Sequence, residues 1–243
     1  MGTPRSCATN APSVPIRRKL SLAAAALISL LWLGLAHSAG EPLRIMPLGD
    51  SITEARGGSA SYRYWLQKHL QGARIRFDFV GSRHGVYGGA PRFADFDQDH
   101  EGHWGWTTGQ VLEQIDTWAA SARPDVALVH LGTNDVVRDP AVVPKNLAGI
   151  ITSLRKANPR VAVLLARLIP IRGFAAKLGP VEESIERVAR EQTTPDSPVV
   201  VVRQDEGFDV DADTYDGIHP NESGERKMAK RWFEAIRALP HLG

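Results

Sequence analysis

Two hydrophobic patterns alternate along the chain. Short, mostly apolar runs lie at 43–48, 77–80, 126–131, 161–169 and 199–202. Runs of this length predict strands buried on both sides of a parallel sheet. Between them, apolar residues recur at helical spacing. Tyr62, Trp65, Leu66 and His69 share one face, and Val111, Ile115, Trp118 and Ala119 share another. Val143, Leu147, Ile150, Ile151 and Leu154 follow, then Val181, Ile185, Val188 and Ala189, then Met228, Ala229, Trp232, Phe233 and Ile236. Thr107 and Gln110 have capping-box spacing. Asp139-Pro140 reads as a cap followed by proline at the first helical position. Strands alternating with helices predict an α/β domain, a three-layer α/β/α sandwich on a five-stranded parallel sheet. Residues 81–106 form one long connection rich in Gly, Asp, His and aromatics. A loop of that length is usually functional or disordered, and its aromatics argue against disorder.

The beginning of the chain departs from this pattern. Arg17-Arg18-Lys19 precedes an apolar run at 20–36, and Ala36-His37-Ser38-Ala39-Gly40 follows. A basic start, an apolar middle and a small-residue exit describe a signal peptide, with cleavage after Ser38 or Ala39. The alternative is a retained anchor, but the run is slightly short for a span. The expected organisation is a signal peptide over 1–39 and a single domain over 40–243. The arginine pair also permits twin-arginine export, and the route stays open. The signal carries Arg5, Arg17, Arg18 and Lys19 and no acid, so the formal charge of +2 becomes −2 on cleavage. No basic tract then suits nucleic acid, and no stable membrane anchor is expected. Cys7 is the single cysteine and leaves with the signal, which excludes disulfides and thiol-based metal sites in the mature protein.

Three polar motifs fall at the carboxyl ends of predicted strands, where open α/β sheets bind ligands. Gly49-Asp50-Ser51 follows the first strand, Gly132-Thr133-Asn134-Asp135 the third, and Asp216-Gly217-Ile218-His219-Pro220 the fifth. A serine nucleophile needs a base, and the base needs a partner that fixes its tautomer. Ser51, His219 and Asp216 match those roles. Alone, Asp216-Gly217 reads equally well as a turn, with His219 ordering the next helix. Ser51 at the same edge favours the catalytic reading. The Ser51 N–H, the Asn134 amide and the Gly105 N–H are candidate oxyanion donors. Asp50 and Asp135 are read as acceptors for backbone amides that hold the two loops.

These blocks, with Gly105 between them, resemble the four ordered motifs of the SGNH (GDSL-type) hydrolases. The resemblance implies a flavodoxin-like fold and ester hydrolysis, with Ser51 as nucleophile, His219 as base and Asp216 as its partner. It also implies an oxyanion hole of Ser51, Gly105 and Asn134. Within that superfamily, the stretch 99–106 (DHEGHWGW) is similar to carbohydrate esterase family three, as are Tyr62-Arg63, Phe79-Val80-Gly81-Ser82 and His219-Pro220-Asn221. That group includes secreted acetylxylan esterases. The narrower resemblance implies an acetylated polysaccharide or oligosaccharide as substrate and a secreted location.

The remaining features refine this reading. Trp65, Trp118 and Trp232 fit apolar helix faces. Trp104 and Trp106 flank Gly105, where an exposed indole could stack on a sugar or could pin the loop. His103 could touch substrate but has no assigned step. Asp95, Asp97 and Asp99 alternate, as do Asp209, Asp211 and Asp213. Neither run has the glycine and glutamate of a calcium loop. The triad requires no metal, and no cofactor is expected. Asn221-Glu222-Ser223 matches a glycosylation pattern, and Asn221 is preferred as a helix cap. A lipase, lysophospholipase, thioesterase or arylesterase remains a rival. A long acyl chain would need an apolar groove, which the Gly-, His- and Asp-rich 81–106 segment does not offer. A non-catalytic carbohydrate-binding module would not need the Ser-His-Asp set.

Overall fold

The apolar runs become strands whose successive residues serve opposite cores. In the computed structural model, which describes residues 1–2 and 41–239, β1 spans Leu43–Gly49 and β5 spans Val126–His130. Met46 and Leu48 face a cluster with Val111, Ile115, Leu147 and Ile185. Leu43 and Ile45 face the other side, with Tyr62, Leu66, Met228 and Trp232. The first cluster lies under α3 (Thr108–Ala122), α5 (Val143–Ala157) and α6 (Ala175–Gln192). The second lies under α2 (Ser61–Gly72) and α7 (Glu222–Arg237). The result is the expected three-layer α/β/α arrangement. The expected signal segment, 1–39, lies outside the described residues apart from its first two. Among the described residues, no helix is long and apolar enough to cross a membrane.

The sheet departs from expectation in its strand number, seven rather than five. Four strands run parallel in the order β1, β5, β6 (Ala162–Arg167), β7 (Val199–Arg203). The other edge of β1 is shared. Its first half pairs with β2 (Phe77–Phe79) and its end pairs with β4 (Asp99–Gly102), both parallel. β3 (Arg83–His84) joins β4 antiparallel. The chain therefore crosses from one edge of β1 to the other, creating the switch point at which such sheets bind ligands.

β3 and β4 lie inside the segment expected to be one long connection. Their sequences carry no apolar run, because polar partners from distant segments satisfy them. Arg63 is fully buried and organises this region. Its guanidinium donates to the carbonyls of Thr53, Glu54, Gly85 and Gln98 and to the Ser61 hydroxyl, at 2.6–3.2 Å. Burial pulls its pKa down to about 10, so it remains a cation at neutral pH. Glu54 pairs with Arg83 at 2.7 Å and accepts the Trp104 N–H at 2.7 Å. Glu101 accepts the Ser82 N–H and hydroxyl, each at 2.7 Å.

The helix signals were legible. Thr107 and Gln110 form a reciprocal capping box on α3. Asp139 caps a 3-10 turn, Pro140–Val142, that leads into α5. Asn221 accepts the Ser223 and Gly224 N–H groups at the start of α7.

Arg63→Met should lower stability by about 3 kcal/mol, because it strands several buried carbonyls. Urea unfolding checks this. An unchanged midpoint would show that the buried cation does not hold the 81–106 segment.

Candidate active site

Ser51 owes its position to a glycine. A side chain on Gly49 would sit 2.3 Å from the Thr53 hydroxyl and 2.5 Å from the His130 carbonyl. β1 therefore packs tightly to its end, and the chain turns at once into α1 (Ser51–Glu54). Asp50 caps this turn by accepting the Ile52 N–H at 3.0 Å. Ser51 is its first residue, and its N–H has no acceptor within the helix.

His219 comes from the segment between β7 and α7. Asp216 Oδ1 accepts the N–H groups of Ile218 at 3.0 Å and His219 at 2.8 Å, an Asx-type turn rather than a helical one. Asp216 Oδ2 lies 2.7 Å from His219 Nδ1, and His219 Nε2 lies 2.9 Å from Ser51 Oγ. The carboxylate accepts from Nδ1, which leaves Nε2 as an acceptor for the serine proton. Burial works to raise the Asp216 pKa, but the His219 N–H, its imidazole and the Ile218 N–H outweigh it and hold the pKa below the usual value. The carboxylate stays charged beside the ring.

The imidazole packs against two parallel aromatic rings, Trp104 at 4.9 Å and 15° and Tyr215 at 5.6 Å and 12°. Tyr87 extends the cluster by stacking on Trp104 at 4.8 Å. Asn134, in α4 (Thr133–Arg138), donates its Nδ2 to the Trp106 carbonyl at 2.9 Å and lies 3.5 Å from Asp50 Oδ2. It thus ties together the loops after β1, β4 and β5. Gly105 adopts φ +76° in a turn closed by the Trp106 N–H to the His103 carbonyl, 3.2 Å. Position three of such a turn favours glycine at positive φ.

The three residues expected at the substrate separate. Trp104 lines a cleft of about 600 Å³, with Arg56, Tyr87, Tyr215 and the glycines at 57–58 and 88–89. His103 does not reach that cleft. It is 7% exposed, its ring packs against Trp106 at 4.5 Å and Trp118 at 4.4 Å, which also touch each other at 5.8 Å, and its Nε2 donates to Glu101 at 2.7 Å. Its bond to Glu101 turns it into the polar interior and away from the substrate contact that the sequence allowed. Trp106 is half-buried against the core and does not line the cleft. Tyr87, Tyr215 and Arg56 escaped the sequence reading. Their signal was adjacency: Tyr215 precedes Asp216, and Arg56 closely follows the serine turn.

The acidic residues take structural partners. Asp135 accepts the Thr108 N–H at 2.9 Å and hydroxyl at 2.7 Å. Asp95 pairs with Lys68, Asp97 accepts the Phe79 N–H, and Asp213 pairs with Lys227. Among the described residues, no three His, Cys, Asp or Glu side chains converge as a metal site would require.

Asp50 yields a pH-dependent expectation. Burial raises its pKa from 3.8 to about 7, with the Ile52 N–H opposing and Asp135 adding to the shift. The folded state thus holds a proton that the unfolded state releases, so this contribution is full below the ordinary value and lost as pH rises through about 7. Wild type should lose more stability than Asp50→Asn between about pH 5 and about pH 8, as read by urea midpoints. Parallel profiles would contradict the raised pKa.

Comparison with known proteins agrees with this geometry. The model of the GDSL-like Lipase/Acylhydrolase family matches residues 48–227. A carbohydrate esterase family 3 structure from Talaromyces cellulolyticus is 32% identical, with a TM-score of 0.73 over 81% of this chain and 97% of that one. An acetyl esterase structure, a serine-to-alanine variant with an acetate ion, is 31% identical at the same TM-score of 0.73, covering 81% of this chain and 97% of that one. A multidomain esterase of Ruminococcus flavefaciens is 28% identical over 91% of this chain, which spans only 33% of that protein's length. The chain belongs to the GDSL-like lipase/acylhydrolase family of carboxylic ester hydrolases and is similar to carbohydrate esterase family 3 structures.

Proposed function

We propose that this protein is a secreted serine esterase that removes acetyl groups from carbohydrate, with acetylated xylan or a related polysaccharide as substrate. The observation that carries the reading is the chain of contacts from Ser51 through His219 to Asp216, at 2.9 and 2.7 Å, beside an aromatic-walled cleft. Tyr87, an exposed ring of this cleft, suits sugar rings, which present apolar C–H faces. The hollow at Ser51 itself is small, about 10 Å³, and offers no groove for a long acyl chain. That favours an acetyl group over a long acyl chain. The acetyl esterase relative, whose structure contains acetate, supports the same acyl group.

In this reading Ser51 Oγ attacks the acetyl carbonyl while His219 Nε2 takes its proton. The oxyanion draws on the N–H groups of Ser51 and Gly105 and on the Asn134 amide, whose longer contact to Asp50 is the easier one to surrender. The imidazolium, stabilised by Asp216, protonates the departing sugar oxygen and leaves an acetyl-enzyme. Water, activated by the same imidazole, then releases acetate and restores Ser51. The basic, apolar and small-residue sections of 1–39 support export, with the mature domain outside the cell or in a periplasm.

Acetate release from acetylated xylan, measured beside hydrolysis of an aryl acetate, tests the reading. Ser51→Ala should fold normally and lose at least about four orders of magnitude of kcat on both. Retained activity would remove Ser51 from the mechanism. Turnover of the aryl acetate alone would remove acetylxylan as substrate. Asn134→Ala should lower kcat by about a hundredfold with little change in KM; a change confined to KM would place Asn134 in ground-state binding instead.

A further inference from the structure

Arg56 is the one feature of the cleft that the deacetylation reading does not use. It lies just beyond α1 and is exposed. Its backbone is pinned by a bridge to Tyr87, with the Tyr87 N–H on the Ala55 carbonyl at 2.9 Å and the Gly57 N–H on the Tyr87 carbonyl at 2.8 Å. Its guanidinium lies 3.6 Å over the Tyr215 ring, in the cluster that includes His219. Stacking holds the planar fork in one orientation, so less freedom is lost when it binds a ligand.

The nearby acids are committed elsewhere. Asp216 is held by His219, Glu222 by Arg92 and Arg226, and Glu225 accepts from the Ser59 hydroxyl and the Ser61 N–H. Arg83, by contrast, has Glu54 as its partner. Among the described residues Arg56 has neither an ion-pair partner nor a side-chain hydrogen bond, and its guanidinium packs on Tyr215. It nevertheless lines both the small hollow at Ser51 and the large aromatic cleft. A sugar in this cleft with its acetyl group at Ser51 therefore has an unpaired guanidinium beside it. A neutral sugar offers that group only hydroxyls, whereas a carboxylate offers two parallel acceptors at the matching spacing.

We propose that Arg56 selects acetylated saccharides that carry a uronic acid, by pairing its guanidinium with the sugar carboxylate in the cleft beside Ser51. The inference rests on the reading of Ser51 as a carbohydrate deacetylase. The carboxylate can belong to a branch on a neutral chain or to the backbone itself.

The test compares kcat/KM for acetate release from acetylated oligosaccharides bearing uronic acid with that from the same material after reduction of the carboxyl to an alcohol. One arm uses branched uronic acid and the other backbone uronic acid. The acid-to-alcohol ratio is internal to each enzyme preparation, so partial misfolding of a variant cancels. Wild type should prefer the acid by about fivefold in one arm or both, the size of a charge-assisted pair partly open to water. Added salt should shrink the preference. Arg56→Gln should bring the ratio close to unity, and Arg56→Lys should restore part of it through charge alone. The responding arm assigns the carboxylate to branch or backbone. A wild-type ratio of unity in both arms overturns the proposal, as does a preference that persists in Arg56→Gln, while deacetylation itself stands. Failure to release acetate from either material, with aryl acetate still hydrolysed, overturns the deacetylase reading and this inference with it.

Discussion

The site depends on how closely three backbones meet at the end of β1. Gly49 is in register with Gly102 of β4 on one side and His130 of β5 on the other. A side chain on Gly102 would sit 2.6 Å from the Glu54 nitrogen, and one on Gly49 would strike Thr53 and His130. Because both are glycine, α1 starts without a spacer, and β4 hands its continuation directly to the His103–Trp106 turn. The His103 N–H fixes that handover by bonding to the Gly49 carbonyl at 3.0 Å. Ser51, Trp104 and Gly105 are neighbours for this reason. Larger residues at either position would push apart the nucleophile and the loop that flanks it.

That contact is supported by a polar interior. Arg63, Glu54, Glu101 and His103 are all buried, and each has partners. Burying such groups costs free energy that an apolar core would not, and removing one partner strands the others. In return, the segment around Trp104 is held in one arrangement by directional bonds. The aromatic cluster then carries this rigidity to His219, which packs against Trp104 and Tyr215 and is bonded to Asp216 and Ser51 at its edges. An imidazole so constrained loses little entropy on reaching the geometry for proton transfer. Arg56 packs on Tyr215 in the same cluster, so substrate recognition and catalysis share one scaffold.

What the sequence disclosed follows from the range of the forces involved. The main strands announced themselves through Val, Ile and Leu runs, because a doubly covered sheet demands apolar residues on both faces. Thr107, Asp139 and Asn221 were readable as caps because each acts on its own next turn. Ser51, Asn134, Asp216 and His219 stood out because polar groups at strand ends have few structural reasons to recur there. β4 was illegible: Asp99-His100-Glu101-Gly102 has no apolar pattern, and its burial is balanced by Ser82 and His103. The sequence offered His103 as a substrate contact, yet its ring packs against Trp106 and Trp118 and bonds to Glu101. Arg56 gained meaning only through Tyr215, a residue far away in sequence.

The most direct test of the Ser51–His219–Asp216 assembly is reaction of the folded protein with a fluorophosphonate, followed by intact mass and peptide mapping. The account requires a single adduct on Ser51, formed far more slowly in His219→Ala. An unlabelled folded protein, or an adduct on another residue, would contradict it.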